Sequence, residues 1–263
     1  MLSLLRKAAS GTLLLMLAAC GGGGGGSSGG GVVPPAAMAD WTYMVYIAGD
    51  NNLSSAAIDD INEMEQAGSS DRVNIVVQAE FSDRHTPYVP GISKSAARAP
   101  DGSDIAIPGV SVSPTLRGRI TKDSDASWIS SNLSSLGANL DMGKPQTLTD
   151  FIIWSKQQYP ARNYALVLWS HGDGWKVRRS TGGVVNRGAL ADDSSGSFMA
   201  LPDIAGAIRN AGVNLQILNF DACLMGMYEV AHTFVGLSEY LVASEEVEPG
   251  DGDDYQSVLT VLK

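Results

Sequence analysis

Cysteine is scarce in this chain: 263 residues carry only Cys20 and Cys223. Two thiols so placed form no CxxC pair and no Cys/His pattern with zinc spacing, which excludes a disulfide scaffold and a structural zinc module. Histidine is nearly as rare, with His85, His171 and His232 the full set. Positive charge is in deficit, 18 Lys and Arg against 28 Asp and Glu, for a net charge of −10. That balance argues against nucleic-acid binding and suits a basic partner or substrate. GxSxG, HExxH and GxxxxGK[ST] are all missing, so serine-hydrolase, metalloprotease and P-loop chemistry have no motif to stand on.

What is present begins with an export signal. Arg6 and Lys7 precede a short apolar run over residues 8–19, too short to cross a bilayer as a stable helix. The run ends in Leu17-Ala18-Ala19-Cys20. This resembles the lipobox of bacterial lipoproteins, in which cleavage precedes the cysteine and the cysteine is lipidated. Residues 1–20 therefore read as a lipoprotein signal, which implies a protein exported and lipid-anchored at a bacterial cell envelope or surface. An ordinary secretory signal ending by chance in Cys is the alternative. Residues 21–40 are glycine, serine and proline-rich and read as a tether, since such a segment buries too little apolar area to offset its chain entropy. With Cys20 blocked, Cys223 would be the only thiol.

The folded part is expected over residues 41–263, and 44% apolar content supports a core for it. Residues 42–48 (TYMVYIA), 73–79 (VNIVVQA), 165–170 (ALVLWS), 216–220 (QILNF) and 240–244 read as buried strands. Residues 54–67, 147–159 and 201–211 carry apolar side chains at helical spacing. Residues 123–136 are weakly helical, and the apolar spacing of Leu224, Met225, Met227 and Val230 predicts a helix directly after Cys223. Residues 80–115 form a polar excursion, with a strand over 115–121 after it, and residues 176–187 an exposed loop. Alternating strands and helices predict a doubly wound, mainly parallel α/β sheet with helices on both faces.

Two strand ends carry reactive groups: Ser170-His171-Gly172-Asp173-Gly174 after ALVLWS and Asp221-Ala222-Cys223 after LQILNF. In an open parallel sheet the carboxyl ends of the strands share one rim, so His171 and Cys223 are expected to meet. They lie 52 residues apart, which matches the caspase-type order of His before Cys. A thiol of pKa about 8.5 is only a few per cent thiolate at neutral pH. An imidazole beside it, or a helix start after it, raises that fraction. The backbone N–H groups of Gly172 and Cys223 are candidate oxyanion donors, and Gly172 permits the close approach they need. Taken alone, Cys223 fits a packed core thiol equally well. Neither set of residues suggests a metal centre, and none is assigned.

At these residues the chain resembles the clostripain family of cysteine peptidases. The matching stretches are WTYMVYIAGDNNL, TLTDFIIW, YPARNYALVLWSHGDGW, NFDACLMGMYEVA and ASEEVEPGDG, running from Trp41 to the C-terminus and weakest over residues 81–114. The resemblance implies a caspase-like fold, His171 as catalytic base, Cys223 as nucleophile and Asp221 as a carboxylate of the substrate pocket. It also implies cleavage after arginine, less readily after lysine, which a buried carboxylate explains because guanidinium binds it bidentately. Asp251, from the acidic cluster Glu245, Glu246, Glu248, Asp251, Asp253 and Asp254, is a second pocket candidate. No cofactor is required by such chemistry. Ca²⁺ activates some members, and Asp251, Asp253 and Asp254 are where an ion is expected, although they lack the EF-hand pattern. Some members cut their own chain between His and Cys, for which Arg187, or Arg179, is the expected site. Members continue with a sixth strand and further structure, so truncation after Lys263 is also expected. The competing reading is a surface lipoprotein that keeps this fold for binding without catalysis.

Overall fold

The computed structural model describes residues 38–82, 114–125, 129–138, 140–175, 178–180, 183–185 and 188–263. The signal, the tether and most of the excursion fall outside these residues. The folded unit spans Met38–Lys263.

Its centre is a sheet of seven strands. In chain order these are β1 (Ala39–Gly49), β2 (Val73–Phe81), β3 (Pro114–Arg119), β4 (Ser134–Ala138), β5 (Ala161–Trp169), β10 (Leu215–Asp221) and β11 (Ser238–Ala243). The spatial order is β11-β10-β5-β1-β2-β3-β4. The first five in that order pair in parallel, whereas β3 and β4 add on antiparallel. Two short hairpins stand apart: β6 (Arg178–Ser180) with β7 (Gly183–Val185), and β8 (Gly188–Asp192) with β9 (Ser197–Ala200).

The apolar runs of the central strands cover both faces of the sheet, as the two-residue side-chain period requires. On β1, Met44, Tyr46 and Ala48 enter one core while Tyr43, Val45 and Ile47 enter the other. The first core is closed by α2 (Pro145–Gln158), α3 (Leu201–Ala211) and α4 (Tyr228–Thr233). The second is closed by α1 (Ser54–Ala67) and α5 (Tyr255–Leu262). Helices on both faces of a mainly parallel sheet are the predicted architecture.

Four local expectations are corrected. Residues 123–125 and 129–133 form an irregular segment, not a helix, and β4 follows it. Its backbone N–H groups at Ser130 and Ser131 donate to the Glu65 carboxylate at 3.1 and 2.6 Å, a long-range satisfaction that competes with helix formation. The expected loop over residues 176–187 contains the β6–β7 strands. The β8–β9 hairpin and α5 were not anticipated.

The fourth correction concerns the residues after Cys223. No helix starts there; α4 begins only at Tyr228. Leu224 takes a left-handed φ of 63°, which interrupts helical geometry and is uncommon outside glycine. The N–H groups of Leu224 and Gly226 donate instead to the carbonyls of Glu246 and Ser244, at 3.0 and 2.7 Å. The segment is thus held against the chain after β11 and supplies no helix dipole to the thiol.

Candidate active site

The sheet register aligns Asp221, the last residue of β10, with Trp169, the last of β5. The two following turns are therefore neighbours. Ser170 N–H donates to the Asp221 carbonyl at 3.3 Å. Ser170 is buried; its Oγ donates to the Ala48 carbonyl at 3.0 Å and accepts from Ala191 N–H at 3.2 Å. These bonds tie the His171 turn to β1, β8 and β10 together.

Gly172 packs directly on the cysteine. A Cβ placed there would lie 2.3 Å from the Cys223 carbonyl oxygen and 2.9 Å from its nitrogen. Only glycine lets the two backbones approach so closely. His171 and Cys223, both partly buried, line one cavity of about 270 Å³. Leu53, Trp169, Asp221 and Glu248 line it too.

His171 is oriented by a residue that sequence reasoning missed. Its Nε2 lies 2.7 Å from Asn52 Oδ1. With a carbonyl oxygen as acceptor, Nε2 carries the hydrogen and Nδ1 keeps its lone pair. Asn52 belongs to the turn after β1, whose carboxyl end lies on the same rim as those of β5 and β10. Burial lowers the His171 pKa, against the smaller opposing pull of Asp193 and Asp173, which favours the neutral ring.

Asp221 is 4% exposed and sits on the α1/α5 side of the sheet. Its Oδ2 accepts from Tyr255 Oη at 2.7 Å and from Asp253 N–H at 3.4 Å. Gly252 brings backbone close to it, since a Cβ there would lie 3.1 Å from both carboxylate oxygens. Burial raises the Asp221 pKa, with Asp253 adding repulsion and the Tyr255 hydroxyl opposing. Glu248 is raised likewise, by burial first and by Asp221 and Asp253 next. Two carboxyl groups thus share the cavity.

Asp251 is not one of them. It is exposed and lines a separate hollow with Asp59 and Glu63. Glu248 takes the second acidic place because the chain after β11 returns over the rim through Val247 and Pro249. The expected Ca²⁺ loop is also otherwise engaged. Asp253 Oδ2 accepts from Asn219 Nδ2 at 2.6 Å, and Asp254 caps α5 by accepting from Ser257 N–H at 2.9 Å. His232 is exposed on α4. Arg179 lies on β6. Cys20, His85 and Arg187 lie outside the described residues.

Comparison with known proteins fits this geometry. The peptidase C11 model, described as the clostripain family, matches residues 45–263. The chain belongs to the clostripain family. Clostripain of Hathewaya histolytica is 29% identical over 234 residues, covering 84% of this chain and 42% of that protein. The X-ray structure of a secreted C11 cysteine protease from Bacteroides thetaiotaomicron, bound to an irreversible peptide inhibitor, superposes with a TM-score of 0.62. It is 25% identical and the match covers 86% of this chain and 54% of that one. An inactive zymogen C11 protease from Parabacteroides distasonis superposes at 0.56 with 24% identity, covering 87% and 54%. The clostripain-family chain described here spans about half the length of these relatives. Its sheet is the caspase-like fold of the C11 proteases.

Proposed function

We propose that the protein is a cysteine endopeptidase that cleaves after basic residues, arginine before lysine, with Cys223 as nucleophile and His171 as base. The observation that carries this reading is one cavity lined by His171 and Cys223 together with buried Asp221 and half-buried Glu248. Family membership supports the reaction class.

In this reading Nδ1 of neutral His171 takes the Cys223 proton as Sγ attacks the scissile carbonyl carbon. The N–H groups of Gly172 and Cys223 are the proposed donors to the oxyanion. The C–N bond then breaks, and the imidazolium returns the proton to the leaving amine. Water, activated by His171, hydrolyses the thioester and restores the thiol. Nucleophile, base and donors all come from this chain, so the chemical step calls for no cofactor.

Asp221 and Glu248 account for the substrate class. A guanidinium entering the cavity favours their ionised forms and binds a carboxylate bidentately, which a lysine ammonium does not match. Proteins and peptides with Arg or Lys are the substrates. The binding-only alternative has no observation in its favour, because the dyad residues are intact and share a cavity.

The reading extends to residues outside the described part. Lipidation at Cys20 after removal of residues 1–20, with residues 21–40 as tether, would place the peptidase at a bacterial cell envelope. Among the described residues no helix is long and apolar enough to cross a membrane. Self-cleavage between His171 and Cys223, at Arg187 or Arg179, accords with the zymogen state of the Parabacteroides relative. Arg187→Ala should change the fragment pattern on a denaturing gel; an unchanged pattern removes that site.

The deciding experiment is turnover of an arginine–fluorophore amide by the full chain, with and without thiol alkylation. Turnover should vanish on alkylation and in Cys223→Ala. No turnover by the unmodified protein, before or after added Ca²⁺, would overturn the peptidase reading.

A further inference from the structure

On the opposite face of the sheet from Asp221, three carboxylates converge at the carboxyl ends of β1 and β2. Asp50 follows β1, Glu80 lies on β2 and Asp192 ends β8. They are 1%, 0% and 1% exposed. Each can place an oxygen within 4.8 Å of the other two. Such a cluster is costly, since like charges removed from water repel strongly and lose their hydration. Among the described residues the ion pairs lie elsewhere, at Asp40 and Asp141.

The cluster is built rather than incidental. Asp50 Oδ2 accepts from Ser194 N–H at 2.9 Å. Asp192 accepts from Met142 N–H at 2.9 Å and from Ser195 N–H at 2.8 Å. Glu80 Oε1 is 3.4 Å from Thr115 Oγ1, which donates to it. These bonds orient the carboxylates from three different segments. Yet Asp50 Oδ1, fully buried, has no hydrogen-bond partner, and Glu80 Oε2 meets no donor group, its carboxyl lying against that of Asp192 instead. Buried polar atoms without partners are rare in folded proteins and point to a missing ligand.

We propose that Asp50, Glu80 and Asp192 hold a hard divalent cation, Ca²⁺ in the first instance. Oxygen-only ligands select Ca²⁺ or Mg²⁺ over the softer transition metals. Ca²⁺ is favoured because it accepts irregular geometry, while Mg²⁺ demands a near-ideal octahedron. The site lies apart from the acidic loop of Asp251, Asp253 and Asp254. Its role is to hold the turn after β1. The Asp50 carbonyl accepts from Asp193 N–H at 2.8 Å, and two residues on, Asn52 holds His171. An ion here would therefore fix the segment that orients the histidine.

Direct binding tests this, and its readout does not depend on turnover, so it stands or falls apart from the peptidase reading. The full chain is stripped with a chelator, then titrated calorimetrically with CaCl₂ and, in parallel, MgCl₂. The expected result is saturable one-to-one Ca²⁺ binding and a melting temperature raised by roughly 5–10 °C at a hundredfold excess over Kd. Glu80→Gln and Asp192→Asn should each abolish both responses. Glu80→Gln should melt no lower than metal-free wild type, because it removes a repelling charge. If a variant fails to fold, the wild-type titration still decides. No heat and no thermal shift with either cation would overturn the site and leave the three carboxyls sharing protons. Ca²⁺ binding that survives both substitutions would also overturn it and move the ion elsewhere.

Discussion

Gly172 is the residue on which the rim geometry turns most sharply. Any side chain there meets the Cys223 carbonyl at 2.3 Å, so the two turns must separate. Gly172→Ala should lower kcat/KM about 100-fold, as expected for a misplacement near 1 Å, with little change in melting temperature. Asn52→Ala removes the group that selects the His171 tautomer. Its expected effect is a fall in kcat of roughly tenfold or more with KM unmoved, because acid–base contributions are about 10²–10⁴-fold. Asp221→Asn should act on the other side of the cavity. Loss of a charge-assisted contact of about 1.5–3 kcal/mol predicts kcat/KM down roughly 10–100-fold for an arginine substrate. The acid limb of the pH profile follows from the same groups. Burial and mutual repulsion raise the Asp221 and Glu248 pKa values, so binding of a cationic side chain strengthens as pH rises and both ionise. Asp221→Asn should flatten that limb, read from kcat/KM against pH.

At the scale of elements, α1 and α5 hold the cavity residues Trp169 and Asp221 from behind, although neither helix lines the cavity. Asp60 on α1 accepts from Trp169 Nε1 at 2.7 Å. Burial, followed by repulsion from Asp221, pushes the Asp60 pKa to about 8, against about 4 for an unfolded aspartate. A raised carboxyl pKa stabilises the fold below the unfolded value, and that stability is lost as pH rises through the folded one. Melting temperature should therefore decline between about pH 4 and about pH 8, and Asp60→Asn should narrow the decline. On α5, Tyr255 and Leu259 are fully buried, and Lys263 Nζ donates to the carbonyls of Ala67 and Gly68 at the end of α1 at 2.6 and 3.1 Å. Leu259→Ala should cost about 2–5 kcal/mol in urea unfolding. It should also weaken arginine substrates, since α5 brings the Tyr255 hydroxyl to Asp221.

For the whole molecule, the parallel sheet does the assembling. Five strands pointing one way bring the ends of β1, β2, β5, β10 and β11 to one rim, where α/β folds place their ligands. The cavity lined by His171 and Cys223 opens at this rim, and the Asp50–Glu80–Asp192 cluster lies on the opposite face of the sheet from Asp221. In the lipoprotein reading, Cys20→Ser should move the protein from the membrane to the soluble fraction on centrifugation, leaving the kcat of the detergent-extracted enzyme as it was.

The sequence by itself determined the strand–helix alternation, because burial on both sheet faces imposes continuous apolar runs and burial on one helix face imposes a 3.6-residue period. It also determined that His171 and Cys223 would meet, because parallel strands end on one side. Asp221 was legible only through the resemblance to the clostripain family. What only the tertiary structure decided are contacts between segments with no shared period. Asn52 meets His171 through the turn after β1, and Glu248 replaces Asp251 as the chain folds back over the rim. Residues 129–133 stay irregular because Glu65 satisfies their backbone, and Leu224 leaves helical geometry because the chain after β11 takes its N–H. The carboxylates of Asp50, Glu80 and Asp192 come from distant parts of the chain, and spacing carries no trace of them. They meet because strand register, not local pattern, sets which side chains are buried together.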